Sequence, residues 1–199
     1  KSPFKPYRRG QFTGLLFKVG YLFAGTGRLL RMSSVLSDTG EKNARAAALQ
    51  EALALAERAI GLCEPNPRVG CVIVSSDGRV IGIGHTQEAG GPHAEVMALR
   101  DVLARGESAR GATAHVTLEP CAHHGRTPPC CDALIEAGIA CVHMALVDPF
   151  SQVAGQGAAR LRTAGIEVLE GELAEPAREL NIGFFSRIER GRPWVRLKA

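Results

Sequence analysis

The chain has 199 residues, enough for one domain with a sizeable core, and a formal net charge of +4. Residues 1–37 hold seven of the 24 Lys and Arg residues and no acid, which leaves 17 bases against 20 acids in residues 38–199. That net charge of −3 gives the globular part no basic excess to attract nucleic acid, and no apolar run approaches the roughly 18 residues of a membrane span.

The first residues differ in composition from the rest. Residues 1–31 are basic and show no sustained helical or strand period. Such a segment suits either a targeting peptide, which would send the protein to an organelle, or translated upstream sequence outside the fold. We favour the second interpretation, because Met32 has the form of a natural start. We therefore predict an extension over 1–40, outside the fold, and a globular domain over 41–190.

From residue 44 the pattern alternates between helices and strands. Apolar spacing predicts helices over 44–60, 93–103, 130–137, 158–164 and 173–188. Apolar β-rich runs predict strands over 69–74, 80–83, 114–118, 142–147 and 166–169. The first two strands form a hairpin and the later strands alternate with helices. The sequence therefore predicts an α/β fold with a mixed sheet of about five strands, helices on both faces and right-handed crossovers.

The end of the chain changes composition again. Residues 191–199 have the pattern of a linker that enters a further strand. This predicts a downstream domain whose first residues are included here.

Three short segments carry the side chains of a metal site. His93, Cys121 and Cys130 offer one imidazole and two thiolates, a set that holds Zn²⁺ and leaves its fourth position open for water. Of the remaining cysteines, we expect Cys63, Cys71 and Cys141 to be buried small apolar residues. We expect Cys131, which adjoins Cys130, to point elsewhere on its helix and not to be a ligand. Cysteines clustered beside histidines and prolines favour a metal and a reducing compartment over a disulfide framework. We predict one zinc ion per chain.

Glu95 follows the candidate ligand His93 by two residues. An acid in the first turn of a helix is favoured by the helix dipole and by itself needs no function. Beside His93, and with two cysteines downstream, it matches the layout of the zinc-dependent nucleobase deaminases, in which a glutamate that does not ligate the metal moves protons. The pattern predicts hydrolytic replacement of a ring amino group by oxygen.

Several polar residues near these segments have two interpretations each. His123 and His124 either face a substrate or supply a fourth zinc ligand, which would make the site structural. His85 lies either at the pocket mouth or in a solvated turn, and Asn66 is either a turn residue or an amide that contacts a base edge. Arg126 is either an exposed loop cation or a bidentate phosphate anchor.

Three longer stretches, 66–74, 91–96 and 117–130, resemble a known family. They are similar to the deaminase domain of the bifunctional riboflavin-biosynthesis protein, which joins a diaminohydroxyphosphoribosylaminopyrimidine deaminase to a 5-amino-6-(5-phosphoribosylamino)uracil reductase. The similarity extends over about residues 44–199. Eight residues separate Cys121 from Cys130, whereas cytidine, guanine and tRNA-adenosine deaminases typically have two residues there.

The resemblance implies a cytidine-deaminase-like three-layer α/β/α sandwich. It implies zinc-dependent hydrolytic deamination of 2,5-diamino-6-(5-phosphoribosylamino)pyrimidin-4(3H)-one to 5-amino-6-(5-phosphoribosylamino)uracil in riboflavin biosynthesis. The zinc ligands that it implies are His93, Cys121 and Cys130, with Glu95 as the proton shuttle. The substrate-binding residues that it implies are Asn66, His123, Asp148, His85, and Arg126 at the ribose phosphate.

Two positions depart from the family pattern. The family has Asp-Pro-Asn-Pro where this chain has Asp148-Pro149-Phe150-Ser151, so Asp148 is kept and Phe150 replaces an asparagine that helps to hold the substrate. The family histidine stands seven residues before the His-Ala-Glu motif, whereas His85 stands eight before His93 and Thr86 stands at seven. The role of His85 is therefore carried over with less support than the others.

As partners we expect a small phosphorylated ribosylaminopyrimidine, a second copy of the chain in a homo-oligomer and a fused reductase domain, with no nucleic acid, no membrane and no NADPH site in this fragment. The expected location is the cytoplasm.

Two other functions stay open: deamination of another nucleobase or nucleoside, and a non-catalytic zinc-stabilised module. The long cysteine loop and the net charge of −3 argue against the first, and Glu95 beside three ligands argues against the second.

Overall fold

A computed structural model of the chain describes residues 33–125, 127–150 and 154–197, with side chains from residue 40 onward. The helices are α1 (Ser33–Ala56), α2 (Ala94–Ala104), α3 (Cys130–Glu136), α4 (Gln156–Thr163), α5 (Ala174–Leu180) and α6 (Ile182–Arg190). The strands are β1 (Gly70–Val74), β2 (Val80–His85), β3 (Thr113–Val116), β4 (Cys141–Met144) and β5 (Glu167–Glu170). None of the described helices has the length and apolar character needed to cross a membrane.

The five strands form one mixed sheet in the order β2-β1-β3-β4-β5. β1 runs antiparallel to both β2 and β3, while β3, β4 and β5 run parallel to one another. The predicted hairpin and the mixed five-stranded sheet are confirmed. α3 and α4, which connect the parallel strands, pack on the same face of the sheet, as they must if both crossovers have one hand.

Alternate strand residues point to two separate helical layers. Cys71 and Ile73 of β1 belong to a cluster that includes residues of α2, α3 and α4. Val72, between them, packs against residues of α1 on the opposite face. A third cluster joins α1 to α5 through Leu49 and Ala177. The predicted three-layer α/β/α sandwich is therefore confirmed.

Two glycines allow helices to sit directly on the sheet. A Cβ atom at Gly70 would lie 1.8 Å from the carbonyl oxygen of Ala52 in α1, and one at Gly84 would lie 2.3 Å from that of Ala94 in α2. Both distances are far inside van der Waals contact, so any side chain there would displace the helix. Gly84 matters most for function, because Ala94 lies between His93 and Glu95.

Several element bounds differ from the sequence predictions. α1 begins at Ser33 rather than 44, because residues 40–44 are exposed and give no apolar period to detect. The predicted helix over 173–188 is two helices that break at Asn181. No strand forms over 192–197 among the described residues. Residues 1–32, including Met32, lie outside the described part, so the proposed extension over 1–40 stays a prediction.

A pair of buried histidines lies on the sheet face that α1 covers. His115 of β3 is in register with His143 of β4, and their Nδ1 atoms are 3.3 Å apart. Their residues are 3% and 2% exposed, and Glu172 lies 3.9 Å from Nε2 of His143. Burial, the neighbouring His143 and Arg45 together lower the pKa of His115 from 6.5 to about 4.

This shift predicts a pH-dependent stability. The folded-state pKa of His115 lies below its unfolded value, so the unfolded chain binds a proton first as the pH falls. The stability that the protein has above pH 6.5 is therefore partly lost as the pH falls toward 4. His115 should contribute up to about 3 kcal/mol to that loss. Urea unfolding at several pH values should show a smaller loss for His115→Gln than for the wild type. Parallel pH profiles would contradict the assignment.

Candidate metal centre

Three elements bring the predicted ligands together. His93 is the residue before α2 and has extended backbone angles, Cys130 begins α3, and Cys121 lies in the loop that follows β3. Nδ1 of His93 lies 3.6 Å from Sγ of Cys121 and 3.3 Å from Sγ of Cys130. The three donor atoms all lie within 4.8 Å of one another.

The spacing of these donors fits a tetrahedral metal ion. Zinc bonds of about 2.3 Å to sulfur and about 2.0 Å to nitrogen place two ligand atoms about 3.5 Å apart when the angle between them is tetrahedral. The His93 contacts match that separation. No other group of three or more His, Cys, Asp or Glu side chains meets the same criterion within the described residues. His123 and His124 are not part of the group, so no fourth His, Cys, Asp or Glu ligand joins the three among the described residues.

Hydrogen bonds to Sγ of Cys121 favour its thiolate form. The backbone N–H of Cys130 donates to Sγ of Cys121 at 3.3 Å. Hydrogen bonding from the Cys130 thiol, and then from His93, lowers the pKa of Cys121 to about 4. The same bond to Cys121 raises the pKa of Cys130. The pair therefore holds one shared proton, which a bound metal would displace.

Glu95 lies in the first turn of α2, with only 3% of its surface exposed. Burial, and then the charge of Cys121, raises the pKa of Glu95 to about 7. A carboxyl group with that pKa both accepts and releases a proton near neutrality. Glu95 lines the same cavity as His93 and Cys121.

That cavity has a volume of about 490 Å³. Three further predicted substrate residues line it, namely Asn66, His123 and Asp148. His85, the last residue of β2, is not in the lining, and the adjacent Thr86 is. The Thr86 hydroxyl accepts the N–H of Val69 at 3.1 Å. Arg126 lies outside the described residues, so its predicted phosphate contact stays a prediction.

Aromatic and aliphatic side chains form another part of the wall. Phe150, which replaces the family asparagine, lines the cavity, and its N–H donates to Oδ1 of Asp148 at 2.8 Å. Phe184 and Ile188 of α6 also line it. No sequence motif predicts a role for α6 at the site, because helical spacing shows an apolar face without showing what that face covers.

Glu119 is a further residue whose role the sequence did not reveal. Its side chain is buried, and its two oxygens accept the backbone N–H groups of Asp148, Gly155 and Ala158 at 2.9–3.1 Å. Glu119 thereby joins the loop of Asp148 and the start of α4 to the segment that carries Cys121. The accepted groups lie 29 to 39 residues away in sequence, beyond the reach of any local pattern.

A family model described as "Cytidine and deoxycytidylate deaminase zinc-binding region" matches residues 42–146. The chain is 55% identical over 150 residues to "Riboflavin biosynthesis protein RibD" of Escherichia coli, a match that covers 75% of this chain and 40% of that protein. The chain thus spans about two fifths of the length of this curated relative.

Two solved structures are similar to this fold over three quarters of the chain. RibD of Acinetobacter baumannii superposes with a TM-score of 0.72 and 47% identity, covering 76% of this chain and 42% of that one. A Thermotoga maritima protein described as a diaminohydroxyphosphoribosylaminopyrimidine deaminase/5-amino-6-(5-phosphoribosylamino)uracil reductase gives 0.72 and 44% identity, covering 76% and 43%.

The contacts of Glu119 predict a large effect of a conservative change. In Glu119→Gln, an amide group replaces one of the two acceptor oxygens and faces a backbone N–H donor. The free energy of unfolding should fall by about 2–3 kcal/mol, the range for losing a buried charge-assisted hydrogen bond. Glu136→Gln, an exposed change in α3, should alter it by less than about 0.5 kcal/mol. Equal effects in urea unfolding would contradict this role.

Proposed function

Because the chain belongs to the cytidine and deoxycytidylate deaminase family, with its zinc-binding region at residues 42–146, we propose that it hydrolytically deaminates 2,5-diamino-6-(5-phosphoribosylamino)pyrimidin-4(3H)-one. The product is 5-amino-6-(5-phosphoribosylamino)uracil, and ammonia leaves from ring carbon 2. The observation that carries this proposal is the convergence on one cavity of buried Glu95, the His93–Cys121–Cys130 set and the polar residues Asn66, His123 and Asp148.

The cavity supports a small-molecule substrate. Its volume of about 490 Å³ lies within the range of about 300–1,000 Å³ for such sites. Its wall combines apolar groups, among them Phe150 and Phe184, with a few polar ones. The substrate choice rests on the relatives named for riboflavin biosynthesis and on the eight residues between Cys121 and Cys130.

In this mechanism His93, Cys121 and Cys130 would hold one zinc ion per chain. Zinc bound there supplies electrophilic activation of water. Glu95 accepts the first water proton on its carboxylate and passes it to the ring nitrogen. It then accepts the second proton from the hydroxyl group now on ring carbon 2 and passes it to the leaving amine, so the carbonyl forms as ammonia departs. Burial of Glu95 keeps bulk water from taking over this transfer.

Polar residues around the metal centre orient the substrate. Asn66 offers a carboxamide that can both donate to and accept from a base edge. Asp148 and His123 line the same cavity. We assign the ribose phosphate to Arg126, which stands between Cys121 and Cys130 in the sequence.

The same relatives support the wider assignments. The Thermotoga maritima protein is described as carrying both the deaminase and a uracil reductase. We therefore propose a fused reductase domain as the partner. From the sequence alone we also propose a homo-oligomer as the assembly and the cytoplasm as the location. The reductase domain, rather than residues 33–197, would bind NADPH.

The substrate assignment predicts a sharp preference. The purified chain should release ammonia from the phosphorylated ribosylaminopyrimidine and not at comparable rates from cytidine or guanine. Arg126→Ala should raise KM for the phosphorylated substrate about ten- to a hundredfold, the effect of losing a charge-assisted contact of about 1.5–3 kcal/mol. The dephosphorylated nucleoside, which never makes this contact, should be affected much less. Equal losses for both substrates would mean that Arg126 shapes the loop.

The role of Glu95 predicts a separation of metal binding from turnover. Glu95→Gln keeps the shape of the side chain but cannot carry the proton, so turnover should vanish while the protein retains one equivalent of zinc. Cys121→Ser, as the control, should lower the zinc content. Metal analysis measures the zinc content of both variants, and an ammonia assay measures their turnover. Near-normal rates in Glu95→Gln would rule out the proton shuttle, and zinc loss would make Glu95 a support of the metal.

A further inference from the structure

The segment that carries Asn66 into the cavity is held by the C-terminal helices. Residues 64–68 connect the end of the α1 region to β1 and include two prolines. Backbone hydrogen bonds within the segment are few, and the N–H of Asn66 donates to the carbonyl of Cys63 at 2.9 Å. Locally, the Cys63 thiol donates to the carbonyls of Asn66 at 3.4 Å and Pro67 at 3.6 Å, and Arg68 pairs with Glu64. The long-range contacts come from residues more than 110 positions away in sequence.

Asn181 makes the central contact. Its Oδ1 accepts the N–H of Arg68 at 2.7 Å, and its Nδ2 donates to the carbonyl of Arg68 at 2.9 Å. Nδ2 also donates to the carbonyl of Ala177 at 3.2 Å, which ties the pair to α5. Only 3% of Asn181 is exposed. One carboxamide therefore satisfies both backbone groups of the residue that lies two positions after Asn66.

Two arginines add contacts between the same partners. The guanidinium of Arg68 donates to the carbonyl of Leu180 at 3.1 Å, and that of Arg187 donates to the carbonyl of Pro65 at 2.7 Å. The link from Arg187 begins on α6, the helix whose Phe184 lines the cavity. The segment is thus fixed on both sides of Asn66 by α5 and α6.

The carboxamide of Asn66 is available to a ligand. It lines the cavity and makes no hydrogen bond to any other described residue. Its position is therefore set by its backbone, which Cys63 holds locally and which the contacts to Pro65 and Arg68 tie to α5 and α6. A displacement of about 1 Å is enough to weaken a directional hydrogen bond to a substrate.

We propose that Asn181 is a positioning residue for substrate binding, which holds the 64–68 segment so that the Asn66 carboxamide meets the base at the metal centre. This inference rests on the proposed deaminase function. It assigns α5 and α6 to the active site, with Asn181 acting through Asn66 and without touching the substrate.

A double-mutant cycle tests the proposal. Asn181→Ala should raise KM for the phosphorylated ribosylaminopyrimidine about tenfold, as expected for one lost hydrogen-bond contact, with kcat and zinc content nearly unchanged. The Asn66→Ala/Asn181→Ala double variant should have the KM of Asn66→Ala alone, because the second change removes a support that no longer has a function. If the two substitutions raise KM independently and additively, Asn181 is a general packing residue and the proposal is overturned. The same follows if Asn181→Ala lowers kcat and stability to the same extent.

Arg187→Ala gives a second test that does not remove a buried side chain. It deletes the contact to Pro65 and should raise KM in the same direction, by a smaller factor than Asn181→Ala. Arg178→Ala is the matched control, because Arg178 pairs with Glu189 and stacks on Phe185 without contacting the 64–68 segment. Equal KM values for the two arginine variants would count against the proposal.

Hydrogen exchange separates this inference from the proposed substrate. The amide of Arg68 should lose protection in Asn181→Ala, whatever the enzyme deaminates. If the wild type leaves the phosphorylated substrate unchanged, the proposed function fails and the exchange result still decides whether Asn181 holds the segment. Unchanged protection at Arg68 would overturn the positioning role in either case.

Discussion

One ring nitrogen and two sulfur atoms lie within 4.8 Å of one another, and the proposed metal centre depends on that convergence. His93 and Cys130 stand at the starts of two helices that pack on the same face of the sheet. Cys121 follows the strand between them. Close packing makes this possible. Gly84 lets α2 rest on β2, and a Cβ atom at Gly157 of α4 would lie 2.0 Å from the carbonyl oxygen of Pro120, so a side chain there would push α4 away.

The same convergence sets the charge of the site. Burial of Glu95 and the thiols beside His93 puts several ionisable groups where water cannot solvate them freely. Their pKa values separate as a result, with that of Cys121 lowered and those of Glu95 and Cys130 raised. A divalent cation at this point would neutralise the thiolates, and in the proposed mechanism Glu95 would carry the proton, so metal binding and proton transfer would depend on one arrangement.

The sequence predicted the parts of this molecule that local patterns encode. The hairpin of β1 and β2, the alternation of strands and helices and the approach of His93 to the two cysteines follow from short motifs and spacing. Local patterns did not show the break at Asn181 or the network around Glu119, because their partners lie tens of residues away. They also did not show that Thr86, rather than His85, enters the cavity lining, which depends on where β2 ends. The substrate roles of Asn66, His123, Asp148 and Arg126, and the domain bounds, stay predictions.

The proposed deaminase activity depends most on a metal position with three protein ligands and one side open to the cavity. A crystal structure of the zinc-bound protein with anomalous data at the zinc edge measures this directly. We predict one peak per chain, bonded to Nδ1 of His93 and to Sγ of Cys121 and Cys130, with its fourth ligand a solvent molecule beside Glu95. A fourth protein ligand, such as His123 or His124, would make the zinc structural and contradict the catalytic account.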